Sequence, residues 1–364
     1  MDATPFLGVL LYVIGGLAGA SFYLPFKGVK KWAWESYWMV YALVGLVIVP
    51  WGLAFGFSPN VVEVLRQSPP KTLLWCFLFG AMWGVGGLTW GLMIRYLGVG
   101  LGLAIGCGLC AAVGTLVPPI FESKLGALLG TSSGIATILG VLVALAGIVV
   151  TGMAGMSKER ELSEEQKKAG VAEFAFVKGL VIAIFSGVMS AGMFFGLSSG
   201  GPIEKLALEV TPVTPALWKG LPVLVVVLAG GCVVNVVWCV ILNAKNRTAG
   251  DYANGQTPLA LNYILSAVAG AMWYSQMMFL KIAENYIGPY KFSGWTLLMS
   301  SMIVFSTVWG IVLREWKGSS GRTRRLLTGG LAILIASVVI IGYGNYLEQE
   351  GKSPAAKAAV SAER

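Results

Sequence analysis

The chain has no histidine in 364 residues. That absence removes His-based catalytic triads, histidine-containing zinc clusters and imidazole proton relays together. Charge is scarce too: Asp, Glu, Lys and Arg make up 12% of the sequence, about half the share found in a soluble domain. There is no Walker-type phosphate loop, and the longest polar segment, Ser157 to Lys178, is about 20 residues long. That is too short for a soluble nucleotide-hydrolysing domain. The five cysteines (Cys76, Cys107, Cys110, Cys232, Cys239) are odd in number and all lie inside apolar runs, which excludes a disulfide framework. Cys107 and Cys110 form a CxxC, but with no histidine in the chain they read as small packing residues. No cofactor and no metal is expected. The N-terminus lacks a positive n-region, Asp2 being its only charge, so it does not read as a signal peptide.

What is present is apolar. Hydrophobic residues reach 56% and mean hydropathy is +0.77. They fall in blocks of about 20, the length that crosses roughly 30 Å of hydrocarbon at about 1.5 Å per residue. The fold class expected is an all-α polytopic membrane protein; a β-barrel requires short alternating segments instead. The net charge of +9 sits mainly in loops, where basic residues set topology and meet lipid headgroups. No basic patch interleaved with aromatics points to nucleic acid.

Hydropathy predicts ten spans. They run from about Phe6 to Phe26, Ser36 to Phe57, Thr72 to Ile94, Val99 to Phe121, Ser133 to Met153, Gly179 to Gly200, Ala216 to Leu242, Leu259 to Lys281, Ser293 to Leu313 and Leu326 to Leu347. The polar segment divides them into two sets of five, giving a first repeat over 1–156, a linker over 157–178, a second repeat over 179–347 and a disordered tail over 348–364. Gly80-Ala81-Met82-Trp83 recurs as Gly270-Ala271-Met272-Trp273, and Tyr96-Leu97-Gly98 as Tyr286-Ile287-Gly288, both at an offset of 190 residues. Two halves of five spans that share a fold must cross the membrane in opposite senses, the inverted-repeat plan of transporters. The denser Lys/Arg clusters, Lys27–Lys31, Lys158–Lys178 and Arg314–Arg325, fall on one side. The positive-inside rule makes that side cytoplasmic, with the linker, and puts both termini outside.

The candidate site residues follow from depth and chemistry. Trp83 lies mid-span, Trp273 is its repeat mate, and Trp90, Tyr274, Gln276 and Asn235 are also within spans. A mid-membrane indole needs a partner for its N–H. Aromatic faces and amides together suit a ligand with apolar C–H faces and a ring of hydroxyls, that is, a sugar. The competing reading is interhelical hydrogen bonding. Gly80, Gly84, Gly87 and Gly91 form a stripe on the third span, and Gly98, Gly102, Gly106, Cys110 and Gly114 on the fourth. Both suit close helix packing or a sliding surface. Lys27, Lys30, Lys31 and Glu35 crowd the first loop, and Lys281, Glu284 and Lys291 lie between the eighth and ninth spans. With no histidine and no mid-span acid, a proton-coupling carboxylate must be Glu35, Glu122 or Glu284.

Several strings resemble a known family. They are Phe22-Tyr23-Leu24-Pro25-Phe26-Lys27, Lys30-Lys31-Trp32-Ala33-Trp34-Glu35, Phe77-Leu78-Phe79-Gly80-Ala81-Met82-Trp83-Gly84, Arg95-Tyr96-Leu97-Gly98, Leu139 to Leu145, Met272-Trp273-Tyr274 with Gln276, and Glu315-Trp316. The chain from about Phe6 to Tyr346 resembles the L-rhamnose–proton symporter family. That resemblance implies a ten-helix member of the drug/metabolite transporter superfamily, importing L-rhamnose with protons across a bacterial inner membrane. The expected substrate contacts are Tyr23, Lys27, Trp83, Trp90, Asn235, Trp273, Tyr274 and Gln276, and the expected proton-coupling residues are Glu35 and Glu284. The partners expected are the sugar, protons and the lipid bilayer. Two other classes fit less well: a carrier of the same superfamily exporting or exchanging another metabolite, and a membrane enzyme acting on lipid-linked sugars.

Overall fold

The computed structural model describes residues 5–121, 126, 129–161, 175–286 and 291–362. Glu122, the central part of the polar linker and residues 287–290, which include Gly288 of the repeat, lie outside them. Among the described residues the regular structure is helical throughout. The α-helices are α1 (Pro5–Ser21), α2 (Trp34–Leu43), α3 (Val49–Phe57), α4 (Val61–Gln67), α5 (Pro70–Leu97), α6 (Val99–Phe121) and α7 (Ser132–Glu161). They continue with α8 (Phe176–Ser190), α9 (Gly192–Ser199), α10 (Gly201–Glu209), α11 (Leu221–Asn246), α12 (Leu259–Ala283), α13 (Lys291–Val312) and α14 (Gly321–Ala362). Helix covers each of the ten apolar stretches. Among the described residues, six segments are long and apolar enough to cross a membrane: Leu10–Gly28, Trp34–Phe57, Pro70–Leu97, Ser132–Lys158, Phe176–Glu209 and Ala216–Asn246. α14 is continuous through residues 348–362, where composition suggests a disordered tail.

The breaks have local causes. Pro25 opens a short 3-10 turn (Pro25–Gly28) beyond α1, since proline supplies no N–H to continue a helix. A five-residue π-helical stretch, Val44–Ile48, joins α2 to α3 ahead of Pro50; such wide turns absorb an irregularity without ending the helix. Between α5 and α6, Gly98 adopts φ 85° and donates its N–H to the Ile94 carbonyl at 2.8 Å. This left-handed cap is one that glycine takes without a Cβ penalty.

The chain forms two compact units. One comprises Met1–Val13, Leu92–Gly187 and Tyr286–Arg364; the other Ile14–Gly91 and Val188–Asn285. Each therefore draws on both halves of the sequence. Both leave large apolar side chains uncovered, including Val149, Val177 and Val181 in the first and Val237, Ile241 and Ile264 in the second. Aliphatic faces of this extent suit hydrocarbon rather than water.

In the first unit α7 lies along α14, with Gly147 against Leu334 and Gly330 against Thr151. At the end of α7, Glu161 accepts hydrogen bonds from the Ser320 N–H at 3.0 Å and the Ser320 hydroxyl at 2.8 Å. The Ser157 and Thr323 hydroxyls also donate to it at 2.8 Å. These donors, the backbone N–H first, lower the Glu161 carboxyl to about 2. Nearby, the buried Lys158 places its ammonium 4.9 Å from the centre of the Trp316 ring.

Candidate functional site

The second unit holds nearly all the polar and aromatic residues singled out in the sequence. Its frame is two glycine crossings. On α5, a Cβ at Gly80 would fall on the Val227 carbonyl of α11, and a Cβ at Gly84 would lie 2.9 Å from Gly231. On α12, a Cβ at Gly270 would lie 2.6 Å from the Tyr41 carbonyl of α2 and 2.9 Å from the Gly45 nitrogen. The two glycines of the repeated Gly-Ala-Met-Trp string thus each seat a helix against a neighbouring backbone. Each string ends, three residues on, in a tryptophan on nearly the same face.

Those tryptophans meet. Trp83 and Trp273 stack with ring centroids 4.7 Å apart and an interplanar angle of 26°, and both are buried. Tyr41 lies edge-on to Trp273 at 6.5 Å. From Tyr41 the aromatics continue through Trp38 at 4.6 Å to Trp34 at 4.9 Å, and through Phe22 to Tyr23. Offset stacks and edge contacts of this kind add about 0.5–1.5 kcal/mol per pair beyond burial. An indole pair at 4.7 Å has no room for a sugar between its rings. A pyranose must lie against an outer ring face or separate the two.

Unpaired polar atoms lie in the same unit. The Tyr23 hydroxyl, the Tyr274 hydroxyl and Oε1 of Gln276 are buried without a hydrogen-bond partner among the described residues, an arrangement that costs about 1–3 kcal/mol each unless something fills it. Gly91 provides a bare surface beside two polar groups: a Cβ there would sit 3.1 Å from both the Tyr23 hydroxyl and Nε1 of Trp34. Two of the remaining expected contacts are otherwise occupied, and the third is exposed. Trp90 donates its indole N–H to the Ser190 hydroxyl at 2.6 Å. Asn235 accepts from the Trp38 indole at 2.8 Å and donates to the Gly231 carbonyl at 2.8 Å. Lys27 is exposed in the Pro25–Gly28 turn.

The two carboxylates singled out lie near opposite ends of α12. Glu35, in the first turn of α2, is 4% exposed. Its Oε1 accepts from Asn246 Nδ2 at 2.9 Å and from the Thr248 hydroxyl at 2.8 Å. The first loop is tied down around it. The Ala33 N–H and the Ser36 hydroxyl donate to Asp251 at 2.8 and 2.7 Å, and Lys30 and Asn262 exchange two backbone–amide bonds of 3.0 and 2.9 Å. Glu284, at the other end, receives the Lys281 ammonium at 3.0 Å, and Glu204 receives it at 2.6 Å. The aliphatic stem of Lys281 rests on Gly220, where a Cβ would be 3.1 Å away. Lys281 is 7% exposed, and the two carboxylates 13% and 14%. Asn262 and Lys281 are separated by about 28 Å along the helix, at about 1.5 Å per residue.

Asp251, Thr248, Asn246 and Glu204 were not legible as site residues. They lie in loops or at helix ends, where hydropathy carries no signal. Trp38 and Tyr41 carried one that passed unused: with Trp34 they recur at helical spacing on one face of the second span.

Comparison with known proteins identifies the family. Residues 1–346 match the family described as L-rhamnose-proton symport protein (RhaT). A protein from Cronobacter sakazakii named L-rhamnose-proton symporter is 38% identical over 344 residues, covering 93% of this chain and 97% of the relative. A protein of the same name from Yersinia pestis is 35% identical over 348 residues, covering 94% and 99%. With a match that spans nearly its whole length, the chain belongs to the L-rhamnose-proton symport protein family.

Proposed function

We propose that this protein imports L-rhamnose together with protons across a bacterial inner membrane. The observation that carries the reading is its likeness, over nearly the full length of both chains, to proteins named L-rhamnose-proton symporters. The buried aromatic assembly of the second unit supports it. A 6-deoxy sugar has apolar C–H faces, which indole and phenol rings stack against, and hydroxyls, which the unpaired groups of Tyr23, Tyr274 and Gln276 would satisfy. In this reading Trp83 and Trp273 carry the stacking face. Trp90 and Asn235 hold neighbouring groups in place, and Lys27 lies at the mouth. The coupling proton rides on Glu35 or Glu284.

The architecture in this reading is ten membrane-crossing helices. They form two inverted five-helix repeats, 1–156 and 179–347, on the drug/metabolite transporter plan. Both termini lie in the periplasm and the linker in the cytoplasm. The repeated Gly-Ala-Met-Trp string supports the duplication, because its two copies make equivalent backbone crossings. The test is uptake of labelled L-rhamnose into proteoliposomes with an imposed pH gradient, in competition with unlabelled L-rhamnose, L-fucose, L-lyxose and D-glucose. Accumulation above the external concentration, displaced by L-rhamnose and not by D-glucose, is expected. Uptake that ignores the gradient would overturn the reading.

A further inference from the structure

Glu35 sits in a hydrogen-bond chain that is one proton short. Thr248 Oγ1 is 2.8 Å from Glu35 Oε1 and 3.1 Å from Asn243 Oδ1. Ser36 Oγ is 2.7 Å from Asp251 Oδ2 and 3.4 Å from Asn243 Oδ1. A hydroxyl carries a single hydrogen, and the carboxylates, closer and charged, take both. The amide nitrogen of Asn243 is engaged with the Cys239 carbonyl at 2.9 Å and the Tyr252 hydroxyl at 3.1 Å. That engagement fixes which end of Asn243 faces the two hydroxyls. Its buried carbonyl oxygen therefore has two hydroxyl oxygens in reach and no hydrogen from either. One added proton resolves this. With Glu35 protonated, its O–H donates to Thr248 Oγ1, and the Thr248 hydroxyl turns to donate to Asn243.

We infer that Glu35 is the residue that takes the coupling proton, with Thr248, Asn243 and Asp251 as positioning residues that register its protonation. The inference rests on the proton-coupled reading above and chooses between its two carboxylates. A hydronium ion of the aqueous phase delivers the proton: its O–H bond breaks as the O–H bond on a Glu35 carboxylate oxygen forms, and it leaves as water. Neutralising Glu35 weakens the charge-assisted bonds from Asn246 and Thr248, and these join the start of α2 to the end of α11. The link between the first loop and the turn Ala249–Ala253 then rests on the bonds to Asp251 and the edge contact of Trp32 with Tyr252 at 5.8 Å. Loosening that link gives the proton a mechanical consequence.

The charged and titratable groups around Glu35 fit this role. From α11 comes Cys239; from the following turn come Asp251, bonded to Ala33 and Ser36 on either side of Glu35, and Tyr252, bonded to Asn243; from α12 comes Tyr263, which donates to the Tyr252 carbonyl; the basic residues close in sequence are Lys30 and Lys31 before Glu35 and Lys245 and Arg247 on either side of Asn246. Among the described residues, no Lys or Arg forms an ion pair with Glu35. Glu284, by contrast, shares the ammonium of Lys281 with Glu204, so protonating it has to break a buried ion pair.

The experiment uses the full chain in proteoliposomes, with labelled L-rhamnose as probe. Wild-type protein that fails to accumulate L-rhamnose under a pH gradient overturns the proton-coupled reading itself, and this inference with it. With wild type active, Glu35→Gln, an isostere of the protonated acid, is expected to keep exchange of labelled for unlabelled L-rhamnose. Its gradient-driven accumulation ratio is expected to fall to about 1, the value for passive equilibration. Thr248→Val removes the hydroxyl relay and is expected to displace the pH midpoint of uptake by about one unit; it also decides the matter should Glu35→Gln not insert. Wild-type accumulation in Glu35→Gln, an unmoved pH midpoint in Thr248→Val, or loss of coupling in Glu284→Gln alone would each overturn the inference.

Discussion

At the Asn262 end of α12 a buried carboxylate is held by neutral donors; at the Lys281 end two carboxylates share one buried ammonium. The contrast is thermodynamic. An amide and a hydroxyl can exchange hydrogen bonds with a charged or a neutral carboxyl at modest cost, because a hydroxyl both donates and accepts. An ion pair taken out of water has no such freedom, and removing either partner leaves a buried charge. The first arrangement suits a group that changes its protonation state in each transport cycle. The second suits a fixed clasp between α10 and α12. Trp273, stacked on Trp83, lies on α12 between the two ends.

The sharpest way to break this comparison is at the clasp. Lys281→Met removes the ammonium that Glu204 and Glu284 share, and a stability loss of about 3–5 kcal/mol is expected from a buried pair cut on one side. Thermal unfolding of the detergent-purified protein measures it. Glu284→Gln leaves Lys281 paired with Glu204 and should cost clearly less. Equal losses in the two variants would mean that the three groups do not act as a triad.

The glycine crossings come next. Gly270→Ala places a Cβ 2.6 Å from the Tyr41 carbonyl and is expected to cost about 1–3 kcal/mol by overpacking. Because this crossing also sets Tyr41 beside Trp273, the variant should bind L-rhamnose more weakly as well. Gly52→Ala, where a Cβ meets nothing within 4 Å, serves as the control in the same melting and binding assays. Trp83→Ala removes half of the stack, and a rise in the KM for L-rhamnose of about 2–10-fold is expected from the loss of one aromatic contact. Trp83→Phe keeps a ring face and should recover most of it.

The smallest effect tests whether neutral donors behave the same way in the other unit. Glu161 is exposed and is lowered to about 2 by the Ser320 N–H and by the Ser320, Ser157 and Thr323 hydroxyls. A depressed folded-state value contributes stability that is fully present above the ordinary value of 4.5 and is lost as the pH falls through about 2. Glu161→Gln should therefore lower the melting temperature slightly at neutral pH, and the difference from wild type should shrink across that acid window. A difference that persisted unchanged at the acid end would show that packing, not the carboxylate's charge, ties α7 to α14.

How much of this could be read beforehand depends on the kind of signal. The apolar stretches were legible because burial in hydrocarbon demands about 20 apolar residues in a row, and helix covers every one of them. Gly80 and Gly270 were visible as a repeat, and their equivalent backbone crossings give that repeat a physical cause. Elimination left Glu35, Glu122 and Glu284, in a chain poor in acids and devoid of histidine; of these, Glu35 and Glu284 lie among the described residues. Their opposite environments were hidden, because both are built by residues distant in sequence. Asn246, Thr248 and Asp251 lie more than 200 positions from Glu35, and Glu204 lies 77 positions from Lys281. Trp90 and Asn235 resemble Trp273 and Gln276 in type and depth. Only the fold reveals that their hydrogen bonds are already spent on Ser190, Trp38 and Gly231.

The central claim is that sugar and proton move together. The direct measurement is the pH of a lightly buffered suspension of proteoliposomes as L-rhamnose is added outside, with no gradient imposed. Symport predicts that the external medium turns alkaline in step with sugar entry, that a protonophore collapses the signal, and that D-glucose produces none. Entry of labelled L-rhamnose with no change in external pH would contradict the account.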